Sequence, residues 1–105
     1  MIVQSKMEQD GTGLLTVVTN SLTSVNAAEF RAVAEQVIAD STGRLVVDCT
    51  QLEFIDSSGV GAFLHAHNQL SESRRPVCLI QVGAKVMASL ELMQVHRIFD
   101  LAMNK

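Results

Sequence analysis

"FIDSSGVGAFLHA", residues 54–66, decides how the chain is to be read. Two apolar residues, an acid, two serines and a glycine run into an apolar helical stripe. Glycine inside a helix costs about 1 kcal/mol relative to alanine, so Gly59 and Gly61 weaken the turn they occupy. Capping residues ahead of a periodic apolar pattern predict a loop-to-helix junction, with Ser57 or Asp56 as the cap. Upstream, "LVVDC", Leu45–Cys49, is a short apolar run that suits a strand buried on both faces, as in a parallel sheet. Strand, loop and helix in that order are the core of a β/α unit, and the loop leaves the carboxyl end of the strand, where ligands and partners most often dock.

At 100° per residue, a wheel with Ser58 at its origin places Val60, Phe63, Leu64, His67 and Leu70 on the far, core-facing side. Ser58, Gly61, Ala62, His65, Gln69 and Glu72 fall on the outward side. Ser57 lies on the boundary. The outward face is small at its start, so a large partner surface could approach the Ser58 hydroxyl closely. The unpaired N–H groups and positive end of the helix also favour an anion there.

The rest of the chain extends this unit in both directions. Ile2–Met7 and Leu14–Thr19 flank the turn signal "DGTG" and predict an N-terminal hairpin. "NSLTS", Asn20–Ser24, reads as a loop. Asn26 and Glu29 have the spacing of a capping box. Behind them Ala27, Phe30, Val33, Ala34, Val37 and Ile38 form one helical stripe. That helix ends at "DSTG", with Gly43 in a C-terminal position. The helix after Asp56 runs to about Ser73. Val77–Val82 is a second buried strand, Ala84 to about Met93 a third helix, and His96–Ala102 a short final strand. The expected fold is α/β, a single domain over residues 1–105 with a mixed, mainly parallel sheet. An N-terminal hairpin opens it, and helices follow the strands with right-handed crossovers.

Composition excludes several classes. The net charge is −3 and the pI about 5.5, with no basic run longer than Arg74–Arg75, which argues against nucleic-acid binding. Cys49 and Cys78 sit inside apolar runs and read as small core residues in a reducing compartment. No stretch approaches the length of a membrane span and no leader pattern opens the chain, so a cytoplasmic location without membrane insertion is expected. Neither Ser57 nor Ser58 has the flanking glycines of a nucleophile elbow, so no catalytic set is assigned. His65 and His67 lie about 200° apart on their helix and cannot share a metal. His67 reads as a satisfied near-core residue. No phosphate-binding loop is present, and no cofactor is expected. Met87 and Leu92 sit off the inward stripe of the third helix, where they could extend a docking surface beside Ser58.

"VVDCTQLEFIDSSGVGAFLHAHNQL", Val46–Leu70, strongly resembles the central segment of the anti-sigma factor antagonists of the STAS family. Ser89–Leu101 and Asn20–Ile38 are similar to its C-terminal segment and first helix region. The resemblance implies a non-enzymatic β/α domain that captures a serine kinase acting as an anti-sigma factor and so frees a sigma factor. It also implies phosphorylation on the second serine of the motif, here Ser58, and resetting by a PPM-type phosphatase. Asp56, Ser57, Gly59, Gly61, Ala62 and His65 then shape the partner-facing start of the helix. Thr23 stands where the family often carries an acid, and Gln94 where it often has glycine. The alternatives are a STAS scaffold subunit that is never phosphorylated, and a small-molecule binder at the carboxyl ends of the strands.

Overall fold

The computed structural model describes residues 1–103 and gives an α/β fold with three helices and a mixed sheet. Strands β1 (Val3–Met7) and β2 (Gly13–Val17) form the antiparallel hairpin, with Val3 opposite Val17 and Met7 opposite Gly13. Its turn places Gly11 at φ +92°, a conformation that favours glycine. Strands β4 (Leu45–Asp48), β6 (Cys78–Val82) and β7 (Asp100–Met103) then add in parallel, in the order β1-β2-β4-β6-β7. Helices α1 (Ala27–Asp40), α2 (Ser57–Gln69) and α3 (Ala84–Leu92) fill the crossovers.

Every crossover steps the same way along the sheet. Right-handed connections that all step one way stack their helices on one face. Burial follows from this. Leu15, Val47 and Leu79 form a register row that is fully buried beneath the helices. Their neighbours Leu14, Val46 and Cys78 form the next row and are only half-buried. β4 is therefore covered on one face rather than two, and Cys78 is a half-buried residue on the open side. Cys49 is buried, as expected. The core closes with an aromatic chain: Phe30 meets Phe63 edge-on at 5.3 Å between ring centroids, and Phe63 meets Phe99 at 6.3 Å.

Several local expectations are corrected. Part of the expected loop Asn20–Ser24 is a strand, β3 (Ser21–Leu22), which pairs in parallel with β5 (Phe54–Ile55) to make a separate two-stranded sheet. Two residues are too few to show a period. Asn26 and Glu29 do not form a capping box. The Asn26 side chain turns back, accepting from the Thr23 N–H and donating to the Ser21 carbonyl, both at 2.9 Å. Glu29 accepts the Ile2 N–H from the hairpin edge instead. Helix α1 stops at Ser41, which is extended. Gly43 lies beyond it, against the Gly11 backbone: a Cβ there would stand 3.2 Å from the Gly11 carbonyl carbon. Helix α2 ends at Gln69, and Glu72–Arg74 form a separate 3-10 turn. The final strand starts at Asp100, not His96, because residues 95–98 close a turn.

Candidate functional site

The site is built where the small sheet meets the start of α2. Asp56 is the N-cap, extended at φ −104°, and its Oδ1 accepts the Gly59 N–H at 3.0 Å. Of the two candidate caps the carboxylate holds the role, and Ser57 opens the helix. The Asp56 Oδ2 also accepts the Ser24 N–H at 3.4 Å, which ties the loop after β3 to α2. The Asp56 N–H donates to the Leu22 carbonyl. One residue thus joins three segments.

Orientation of α2 differs from the wheel. Gly59, Val60, Ala62, Phe63 and Ala66 are buried, while Ser57 and Asn68 are exposed and Ser58, Gly61 and His65 are half-buried. The helix is turned roughly 80° from the expected orientation at 100° per residue. The cause is that α2 has two covered flanks, one against the sheet and one against α1. Ala62, expected on the outward face, is fully buried and touches no partner. Gly59 does not open room for a visitor either. A Cβ there would stand 2.4 Å from the Leu22 carbonyl oxygen and 2.6 Å from Ile55 Cγ1, so β3 and β5 demand a glycine. Gly61 has nothing within 4 Å of the same construction and keeps the surface low, as expected. The missed signal was the spacing of Gly59, Ala62 and Ala66, a small-residue strip that lets backbones approach.

The remaining expected residues frame the site. Thr23 is half-buried, and its Oγ1 accepts the Val25 N–H at 3.2 Å, while its carbonyl receives the Asn26 and Ala27 N–H groups. His65 Nε2 pairs with Glu35 across the α1–α2 contact. Residues 20–30 and 48–61, which carry the loop after β3 and the start of α2, contain no Lys or Arg, and Lys85 lines the neighbouring cleft beside Glu53. Sequence reasoning passed over Val25, which is 91% exposed, and Phe54, 55% exposed. One apolar residue in a loop and one in a two-residue strand carry no periodic signal.

A cleft of about 280 Å³ lies close by, lined by Thr50, Leu52, Glu53, Gly83, Lys85 and Val86 at the carboxyl ends of β4 and β6. Leu92 is exposed but sits at the opposite end of α3 from this cleft, away from β5. Met87 packs partly on the core. His67 is not satisfied: its Nδ1 is buried without a partner, and burial, then the Arg75 charge, hold its pKa below the usual histidine value. Burial pushes the Cys49 thiol up to about 12, so it stays protonated and inert. Among the described residues no group of three His, Cys, Asp or Glu is placed to hold a metal ion. Among them, too, no helix is long and apolar enough to cross a membrane.

The sequence matches the STAS domain family over residues 4–105. The chain belongs to the STAS family. Comparison with curated protein sequences returns no match. Solved structures share the fold. An anti-sigma factor antagonist from Mycobacterium paratuberculosis is 22% identical with a TM-score of 0.80, covering 95% of this chain and 85% of that one. The anti-sigma factor antagonist SpoIIAA in its unphosphorylated form is 20% identical with a TM-score of 0.78, covering 96% and 88%. The murine anion transporter Slc26a9 is 18% identical with a TM-score of 0.65, covering 89% of this chain and 16% of the transporter. In this STAS protein the Asp56–Gly59 motif stands where strand β5 of the small sheet passes directly into α2.

Proposed function

We propose that this STAS protein is a phosphorylation-gated anti-sigma factor antagonist, a binder and substrate of a serine kinase and not itself an enzyme. Ser58 is the phosphoacceptor. The observation that carries this reading is the position of Ser58: second residue of α2, half-buried at the helix start, one turn from the low Gly61 surface. Its place in the motif matches the acceptor of the family it belongs to. A phosphoryl group there adds about −1.5 to −2 charges at pH 7 at the positive end of the helix, where the fold tolerates it. The complex does not. A kinase must bring the phosphates of its nucleotide to this hydroxyl. After transfer, phosphoserine and Asp56 face the nucleotide diphosphate across a desolvated contact, and like charges at short range repel strongly. A PPM-type phosphatase restores the free hydroxyl. The setting is the cytoplasm.

The test is to incubate the protein with each purified anti-sigma serine kinase of the source genome and Mg–ATP, then map phosphate by mass spectrometry. Phosphate on Ser58, absent in Ser58→Ala and present in Ser57→Ala, supports the reading. Modification confined to Ser57 or to no residue, with a kinase that binds, overturns it. A second reading is a constitutive scaffold subunit. Thr23 favours it, because its hydroxyl is committed to the Val25 N–H where the family often carries an acid. Ser58→Asp separates the two. The gated binder loses its partner with an unchanged circular dichroism spectrum, whereas the scaffold keeps it.

A further inference from the structure

We infer that β1 is a self-association edge: two copies of this chain join β1 to β1 antiparallel across a two-fold axis at Ser5, so that the main sheet of one copy continues into the other.

β1 is the outer strand of the main sheet and has β2 on one side only. Along an antiparallel pair, residues alternate between those that bond across it and those that face away. The Val18 N–H donates to the Ile2 carbonyl and the Glu8 N–H to the Thr12 carbonyl. Between those two bonds the alternation assigns Gln4 and Lys6 to β2. Val3, Ser5 and Met7 therefore present their N–H and C=O groups outward. Such an edge is a template for another strand, and proteins ordinarily blunt it with proline, a bulge, a covering element or charge. β1 has no proline, and its register on β2 runs unbroken from Val3 to Met7. Lys6 is its one charged residue. The far edge of the sheet differs. There the register of β7 on β6 shifts between Leu79 and Val82, and Asp100 is tied to Arg44 at 2.7 Å.

The order of residues along the edge names its occupant as a second copy. The outward residues are symmetric about Ser5. A two-fold axis there sets Ser5 opposite Ser5, and Val3 opposite Met7 of the second copy. Each of these pairs exchanges both its hydrogen bonds, and no outward group of β1 is left over. Met7, 40% exposed, lies beside Val3 of the second copy on the helix side of the sheet. On the open side, Lys6 meets Gln4 of the second copy and never itself. A slip that sets Ser5 opposite Met7 would bring Lys6 against Lys6 and shorten the ladder, so charge holds the register. A five-residue ladder is small beside a permanent interface, and the dimer is accordingly transient and driven by concentration. It uses residues 3–7 and none around Ser58, so a dimer carries two copies of the site at the start of α2.

Sedimentation velocity of the purified protein, from about 10 μM to about 1 mM, tests this. The expected result is a monomer that shifts to a dimer as concentration rises. Amides of Val3, Ser5 and Met7 then gain protection from hydrogen exchange with concentration, while those of Gln4 and Lys6 are protected throughout. Ser5→Pro removes an N–H that makes no bond to β2, so the fold stays and the dimer is lost. Ser5→Lys, at an exposed position, abolishes the dimer by placing like charges face to face and leaves circular dichroism unchanged. The register itself is read from Gln4: the Gln4→Glu dimer is about threefold or more tighter than the Gln4→Lys dimer, because each faces Lys6. A wild-type chain that stays monomeric overturns the inference. So does a dimer that persists in Ser5→Lys, or equal association of Gln4→Glu and Gln4→Lys.

Discussion

At the scale of single residues, two backbone requirements stand out. Gly59 lies against the Leu22 carbonyl, with no space for a methyl group. Gly59→Ala is expected to destabilise the protein by about 2–3 kcal/mol, because backbone, not a flexible side chain, must give way. Gly61→Ala, with open space, should be neutral or slightly stabilising. Denaturant melts of the two variants check the contrast. Gln94 stands at φ +61° at the end of α3, where its N–H reaches the Glu91 carbonyl and the Val95 N–H reaches Leu90. That is a Schellman closure with glutamine in the left-handed position that glycine prefers. Gln94→Gly should stabilise by about 0.5–1 kcal/mol, the relieved left-handed cost less the added chain entropy, read as a higher melting temperature. Residue-scale chemistry was half visible beforehand. The pair of candidate caps, Ser57 and Asp56, and the turn at Asp10–Gly13 could be named from their motifs. The direction Gly59 and Ala62 face could not, because a small side chain carries no apolar period of its own.

At the scale of elements, the helices are held by contacts from outside themselves. The carboxyl end of α1 has no basic residue in its last turn. Arg74, from the 3-10 turn after α2, supplies the missing donors. Its Nε donates to the Gly43 carbonyl at 2.7 Å, Nη1 to Ile38 at 3.2 Å and Nη2 to the Ser41 hydroxyl at 2.7 Å. Ser41 is only 6% exposed, so removing the guanidinium leaves its hydroxyl with only the 3.5 Å bond it donates to the Ile38 carbonyl, and takes a donor from the Gly43 carbonyl. Arg74→Ala should cost about 2–4 kcal/mol, and Arg74→Lys should recover only part of it, since an ammonium cannot span three acceptors in a plane. Chemical denaturation of both variants measures it. Helices and long strands were readable from their periods. The small β3–β5 sheet and this clamp were not, since one is too short to repeat and the other joins residues more than thirty apart.

At the scale of the molecule, one-sided layering governs what each strand tolerates. Val47 is fully buried beneath the helices and Val46, one residue away, looks out from the open face. Val47→Asp should unfold the protein, at a cost of 4 kcal/mol or more, about the limit for a single change. Val46→Thr should cost less than about 1 kcal/mol. Circular dichroism of the pair tests the topology without any partner. The sequence implied the parallel order of strands but not that every crossover steps in one direction, so it overestimated the cover on Leu45–Cys49. Spatial order of strands is a tertiary property, and a linear apolar run looks the same under one layer of helices or between two.

The pairing of β3 with β5, rather than with the main sheet, makes this end of the molecule a transplantable cassette. Residues 20–26 and 52–61 are stitched to each other through Leu22, Ser24 and Asp56. Moved together onto another chain of the same topology, they should carry the capped start of α2 and its tie to the loop after β3 with them. Moved singly, each should arrive without the counterpart that shapes it.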